Sequence, residues 1–223
     1  MQGKLSIVAT PIGNLEDITL RAIRTLKEAD YILCEDTRVT GNLLKHYEIT
    51  TKTRRYDAHA SERTHEAVLR DLADGKHLAL VSDAGTPGVS DPGVLLVSRA
   101  REEGVVIESI PGPSAVTAAF SIAGIPGNEF TFLGFVPQKK GRKTFFEALK
   151  EAKSPAIFFE STHRIMKTLE SLMGVLGERQ TVTVCREITK MHEEVVRGTA
   201  GEVLEYFTLH TDHQKGEFVV IVS

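Results

Sequence analysis

The sequence predicts an α/β protein of two small α/β domains, the first built on a mostly parallel sheet and the second on a mixed one. Three observations carry this. Over the first half, apolar runs of strand length alternate with stretches of helical spacing, the pattern of a parallel sheet with helices on both faces. A short Gly- and Pro-rich segment around positions 111–127 then separates complete units, and a boundary after Gly112 gives domains 1–112 and 113–223. The chain closes with strand-like runs that have only one short helix among them, which leaves part of the second sheet antiparallel.

Leu5 to Ala9 is the first strand, followed by Thr10-Pro11-Ile12-Gly13-Asn14. Ile18 to Ala29 has helical spacing through Ile18, Ala22, Ile23 and Leu26, and Asp17 or Thr19 suits its N-cap. Tyr31 to Cys34 is a second strand ending in Glu35-Asp36-Thr37-Arg38, with a helix through Leu43 and Leu44 behind it. Ser61 to Ala73 is a third helix, with Ala67, Val68 and Leu72 on one face. The apolar run His77 to Val81, a helix from about Val94 to Glu102 and the strand Val105 to Ile110 complete the first domain. Pro111-Gly112-Pro113-Ser114 opens a small-residue helix, Ala115 to Ala123, closed by Gly124-Ile125-Pro126-Gly127. The strand Phe130 to Phe135, a basic loop Gln138 to Lys143, a helix from about Thr144 to Glu151 and the strand Ala156 to Glu160 follow. A helix through Ile165, Leu169 and Leu172 leads to the last strands, Thr181 to Cys185, Glu193 to Gly198 and Glu217 to Val222, with the helix Ala200 to Phe207 among them.

At 223 residues the chain can bury a real core, as one domain or two small ones. Hydrophobic content of 41% and charged content of 26% are ordinary for a globular protein, and no apolar run approaches a membrane span. The start, MQGKLSIVATPIG, enters a strand-like run at once and lacks a signal peptide's apolar segment. Cys34 and Cys185, each beside an apolar strand, suit reduced, buried thiols and a cytoplasmic location better than a disulfide. A net charge of −3 excludes a uniformly basic nucleic-acid coat but leaves room for local basic patches.

The chain is organised around Val81 to Gly93, VSDAGTPGVSDPG, which follows a buried strand. It holds Gly85, Gly88, Gly93, Pro87, Pro92, Asp83 and Asp91 with almost no bulk. Glycines let the backbone approach a ligand, prolines stiffen the path, and the carboxyl end of a strand is where open α/β sheets bind small molecules. A plain turn uses the same residues. Three other strand ends share the character, however: Thr10-Pro11, Pro111 to Ala115 and Glu160-Ser161.

Several better-known chemistries are absent. Gly13 stands alone where a dinucleotide fingerprint needs its glycine triplet, and Gly141-Arg142-Lys143-Thr144 misses the closing G-K-[ST] of a P-loop. His65-Glu66 and His192-Glu193 have Leu69 and Val196 where a zinc-protease helix needs its second His. His210 and His213 share a helical spacing without a further ligand, so no metal is expected. No Ser sits in a G-x-S-x-G elbow.

VATPIGNLEDIT (Val8 to Thr19), CEDTRVTGNLL (Cys34 to Leu44), VSDAGTPGVSDPG and IPGPSAV (Ile110 to Val116) resemble the tetrapyrrole methylase superfamily. FTFLGFVPQKKGRK, FFESTHRI and CREITKMHEEVVRGT resemble its ribosomal RNA small subunit methyltransferase I branch, from about Lys4 to Ser223. The resemblance implies 2′-O-ribose methylation of a cytidine in small-subunit (16S) ribosomal RNA, S-adenosylmethionine in a cleft between two α/β domains, and a homodimer. It places the cofactor contacts on Pro11, Ala84, Gly85, Thr86, Val89, Ser114, Ala115, Glu160 and near Ile188. Asp83 and Asp91 either cap turns or order amides around the methionine part of the cofactor. Tetrapyrrole enzymes carry Gly-Asp-Pro in the comparable loop; Gly85-Thr86-Pro87 here leaves position 86 a backbone contact only.

Methyl transfer is an in-line displacement from a sulfonium carbon, so the protein chiefly orients two reactants, a contribution of ~7–11 kcal/mol. A ribose hydroxyl is a poor nucleophile and gains from a base or a nearby cation. Glu35, Asp36, Lys190, His192 and Glu193 are candidates, with Lys190 preferred and Glu35 or Asp36 as the carboxylate. For RNA, Lys139, Lys140, Arg142 and Lys143 form a compact basic loop, and Arg54-Arg55-Tyr56 pairs cations with a ring. Arg38 and His163-Arg164 are further substrate-facing candidates, and the partner is naked ribosomal RNA or the assembled small subunit. A tetrapyrrole carbon methyltransferase shares the fold but needs an apolar trough instead of that basic loop. A non-catalytic RNA-binding or assembly protein has no need of a cofactor cradle.

Overall fold

A computed structural model describes residues 3–89, 93–177 and 180–223. The chain divides into two units, Met1–Ser114 and Ala115–Ser223.

The first unit contains β1 (Lys4–Val8), β2 (Tyr31–Cys34), β3 (Thr53–Arg55), β4 (His77–Leu80) and β5 (Val106–Ile110). They form one sheet in the order β3-β2-β4-β1-β5, with every pairing parallel. Its helices are α1 (Leu20–Glu28), α2 (Thr37–His46), α3 (Glu62–Ala73) and α4 (Gly93–Glu102). Both faces are covered, as a parallel sheet requires. Val8, Ala79 and Val81 pack with Ala22, Leu26, Leu43 and Leu44, while Leu5, Leu78 and Leu80 pack with Val68, Leu72, Leu96 and Ala100. Thr19, not Asp17, caps α1, accepting from the Ala22 N–H at 3.0 Å. The edge strand β3 was not expected. Its sequence, Thr-Arg-Arg, has no apolar residue to mark it, and only its ladder with Ile32 to Cys34 defines it.

The second unit begins with α5 (Ala115–Ile122) and contains β6 (Thr131–Phe135), α6 (Arg142–Lys150), β7 (Ala156–Ser161), α7 (Ile165–Val175), β8 (Val182–Arg186), β9 (Glu194–Gly198), α8 (Ala200–Leu209) and β10 (Glu217–Val222). The sheet order is β6-β7-β10-β8-β9; β6 and β7 are parallel and the other neighbours antiparallel, so the sheet is mixed as expected. Phe158, Val184, Phe218 and Val220 share a core with Phe146, Leu169, Val203 and Phe207 of α6 to α8. A capping box of Thr199 and Glu202 starts α8.

Cys34 and Cys185 are free and buried, and burial pushes the Cys185 thiol up to about 12. Among the described residues no helix is long and apolar enough to cross a membrane.

Candidate functional site

The strand order of the first unit places β1 between β4 and β5, so the loops after these three strands meet at one edge of the sheet. They are tied together. Thr10 and Gly85 exchange backbone hydrogen bonds of 2.9 and 3.0 Å, an isolated antiparallel bridge. The Thr10 hydroxyl donates to the Ser82 carbonyl at 3.2 Å, and the Thr86 hydroxyl donates to the Pro113 carbonyl at 3.1 Å. Gly112 lies against Ala9, where an added Cβ would stand 3.1 Å from the Ala9 Cβ. The Asp36 N–H donates to the Asp83 carboxylate at 3.1 Å, which joins the end of β2 to the same edge.

These contacts correct the role expected of Gly85. Both of its backbone groups are engaged by Thr10, so its amide is not available to a ligand. Its φ of +80° supplies the physical requirement instead, because L-residues with side chains are disfavoured there. What the edge presents outward is Asp83, Ala84 and Val89, all exposed, beside half-buried Pro11, Thr86 and Ser114. Asp91 and Pro92 lie outside the described residues. Sequence placed Thr10 at a small-residue strand end and Ser82 within the central loop but gave neither of them this tying role; each is a small polar residue directly after an apolar run.

Of the two carboxylates after β2, Asp36 is a structural group. It caps α2 by accepting from the Arg38 N–H at 2.8 Å and pairs with the Arg38 guanidinium at 2.6 Å. The Arg38 hydrogen bonds hold its carboxyl well below the usual carboxylate range, which makes it a poor proton acceptor. Glu35, half-buried at the end of β2, remains the carboxylate candidate.

In the second unit the Glu160 side chain is fully buried at the end of β7. It accepts from the Ser161 N–H at 2.8 Å and the Thr168 hydroxyl at 2.6 Å, and pairs with Arg164 at 2.8 Å and Arg142 at 3.9 Å. A ligand contact at Glu160 is therefore left to its backbone. Arg142 is a second correction. Because α6 starts at residue 142, the guanidinium turns inward, donates to the Thr168 hydroxyl at 3.0 Å and lies 5.0 Å from the Phe146 ring centroid. The exposed basic surface is Lys139, Lys140 and Lys143. Arg164 is likewise engaged, donating to the Val136 carbonyl at 2.7 Å, while His163 is exposed.

Tyr56 is a third correction. Its N–H continues the strand ladder to the Cys34 carbonyl at 2.8 Å, which turns the ring into the core, where the hydroxyl meets His65 Nδ1 at 2.7 Å. The ring beneath Arg54 is Tyr31, 3.8 Å from the guanidinium carbon, and Arg54 also pairs with Asp71 at 2.9 Å. Arg55 pairs with Asp57 at 2.7 Å and stays mostly exposed.

The loop from 187 to 193 joins β8 to β9. Lys190 Nζ donates to Glu187 at 2.9 Å and to Glu217 at 3.0 Å. Partial burial lowers its pKa, but the bonds to the two carboxylates outweigh this and raise it, so Lys190 is a held cation and not a base. Glu193 accepts from the Thr189 N–H at 2.6 Å, Ile188 is buried, and His192 is exposed. Among the described residues no group of three or more His, Cys, Asp or Glu is placed to hold a metal ion.

The model of the tetrapyrrole (corrin/porphyrin) methylases matches residues 4–204. A ribosomal RNA small subunit methyltransferase I of Halalkalibacterium halodurans is 48% identical over 223 residues, which is 100% of this chain and 76% of that protein. Its counterpart in Thermotoga maritima is 43% identical over 221 residues, 99% of this chain and 98% of that one. Among solved structures, a cobalamin biosynthetic enzyme, cobalt precorrin-4 methyltransferase, matches with a TM-score of 0.71 over 98% of this chain and 94% of that chain. At 21% identity that likeness is one of fold alone. Full-length identity to the RNA enzymes, on an edge of tied strand ends, shows that the chain belongs to the tetrapyrrole methylase family, in its ribosomal RNA small subunit methyltransferase I branch.

Proposed function

We propose that the protein transfers a methyl group from S-adenosylmethionine to the ribose 2′-oxygen of a cytidine in small-subunit ribosomal RNA. The observation that carries this is identity of 48% to a protein of that name over the whole chain, a span that includes both the tied edge and the Lys190 loop. The edge of the first unit fits the cofactor's chemistry. Pro11, Ala84, Gly85 and Thr86 are small, and exposed Asp83 offers negative charge to a ligand bearing a sulfonium and an ammonium. We assign cofactor contacts to Pro11, Asp83, Ala84 and Thr86 with Val89 and Ser114, and to Ala115, Glu160 (by its backbone) and Ile188 of the second unit, while Gly85 shapes the edge through its bridge to Thr10. The bound cofactor supplies an electrophilic methyl carbon. The chain's own residues orient the reactants and manage charge.

In this reading the Lys190 ammonium stabilises negative charge developing on the 2′-oxygen, and Glu35 accepts the hydroxyl proton. Lys139, Lys140 and Lys143, with Arg38 and Arg55, contact phosphates. Those exposed lysines favour RNA over a tetrapyrrole, whose carbon methylation is the second reading on the same fold. The macromolecular partner is ribosomal RNA or the assembled small subunit, in the cytoplasm, where the free thiols of Cys34 and Cys185 stay reduced. A second copy of the chain is the other proposed partner, supported by exposed Phe130, Leu133 and Phe135 along the edge strand β6 and its approach.

The test is incubation of purified protein with methyl-labelled cofactor and either ribosomal RNA or small subunits, followed by nucleoside mass spectrometry. A labelled 2′-O-methylcytidine is expected. Label confined to a base, or none on RNA at all, overturns the reading.

A further inference from the structure

Glu187 and Thr189 hold left-handed backbone, with φ of 51° and 68°, and neither is a glycine. Such conformations are disfavoured for residues with side chains and persist where the surroundings over-determine them. Here the bend turns the Glu187 carboxylate back so that its Oε1 accepts from both the Glu217 N–H, at 2.8 Å, and Lys190 Nζ, at 2.9 Å. Room for that carboxylate exists because residue 216 is glycine. A Cβ there would stand 2.7 Å from Glu187 Cγ and 2.8 Å from its Oε1. Gly216, at φ 119°, is itself pinned by the Thr162 hydroxyl, which accepts from its N–H at 2.9 Å and donates to its carbonyl at 2.7 Å. Thr162 directly follows β7, so the end of β7 is coupled through Gly216 and Glu187 to the lysine.

An ordinary surface ion pair adds little stability and gives no reason to maintain two strained residues. Lys190 differs from its neighbours on the loop. Its side chain is 27% exposed between two carboxylates, whereas the next residue, Met191, is 94% exposed. The loop fixes one ammonium while leaving the following side chain projecting.

We propose that Glu187, seated against Gly216, is a positioning residue that fixes the Lys190 ammonium for the ribose 2′-oxygen. This rests on the role given to Lys190 above. In the step it serves, the bond from the 2′-oxygen to the methyl carbon forms as the carbon–sulfur bond breaks and its electron pair passes to sulfur. The hydroxyl proton leaves to a carboxylate or water, and Lys190 keeps its own proton throughout.

The experiment is steady-state methylation of small subunits by the wild-type protein, four single variants and the Glu187→Ala/Gly216→Ala double variant, with thermal denaturation of each. Lys190→Ala is expected to lower kcat about 100-fold. Glu187→Gln keeps the shape and the acceptor oxygen; kcat is expected to fall about 10-fold while KM for either substrate and thermal stability stay near wild type. Gly216→Ala should lower kcat in the wild-type background and add no further kcat loss to Glu187→Ala. If Gly216→Ala does not fold, the two Glu187 variants decide. Wild-type kcat in Glu187→Gln, or a fall in stability alone, overturns the proposal while leaving the lysine's role intact. Wild-type kcat in Lys190→Ala removes that role and the proposal with it, and a wild-type protein inert on RNA overturns the functional reading instead.

Discussion

Thr10 and Gly85 come from different strand ends and close on each other through two backbone hydrogen bonds, 2.9 and 3.0 Å long. The bridge requires the left-handed φ of +80° at position 85, and an added Cβ would stand 3.3 Å from Ile12 Cγ2. Gly85→Ala is therefore expected to destabilise the chain by about 1–2 kcal/mol. Gly85→Val should cost more, since its branch meets Ile12 directly. Denaturant unfolding measures the stability, and calorimetry with S-adenosylmethionine measures what the misplaced edge does to binding. An alanine variant as stable as wild type would show that the bridge tolerates a side chain.

The second unit carries a buried charge cluster whose removal should be far more damaging than that of any surface ion pair. Glu160 faces both Arg142 and Arg164, so Glu160→Ala leaves two largely buried guanidinium groups without their shared carboxylate. Losing one partner of a buried pair costs about 3–5 kcal/mol. Arg142→Ala should also destabilise, by opening the contact to Thr168 and the cover over Phe146. Lys143→Ala, one residue away and exposed, should not. Equal stability of the Arg142 and Lys143 variants in urea would return Arg142 to the surface.

This contrast also shows where sequence was informative and where it was not. Apolar periodicity marked the strands of both sheets and the helices between them, because burial of a face is written in spacing. It missed β3, which is held by pairing alone, and it put the start of α6 two residues late, which misassigned Arg142 to the solvent. Tyr56 was misread for the same reason: composition names a ring but not the direction it points. The relation of Glu187 to Gly216 depends on a close approach between loops remote in sequence, which no local motif encodes.

The exposed lysines at the turn before α6 make a separable prediction. Lys139→Glu with Lys140→Glu should raise KM for the RNA substrate and leave cofactor affinity unchanged, since neither residue belongs to the tied edge. If each lysine neutralises one phosphate, the slope of log affinity against log salt should become shallower by about 2. Filter binding across a salt series measures it, and an unchanged slope would remove this turn from the RNA contact.

Asp71 should contribute to the acid sensitivity of the first unit. Partial burial alone would raise its pKa, but bonds from Lys76, Tyr31 and Arg54 outweigh this and hold the carboxyl below its ordinary 3.8. Because the folded value lies below the unfolded one, the stabilisation is fully present above about pH 4 and is lost as pH falls through the folded value. Asp71→Asn should lower stability at neutral pH and flatten the decline on the acid side, because the group that releases this stabilisation is gone. Tyr31→Phe, which removes the 2.7 Å bond to Asp71, should show a weaker form of the same change. Chemical denaturation from pH 7 down to pH 3 measures both, and an acid limb as steep in Asp71→Asn as in wild type would assign the sensitivity to other carboxylates.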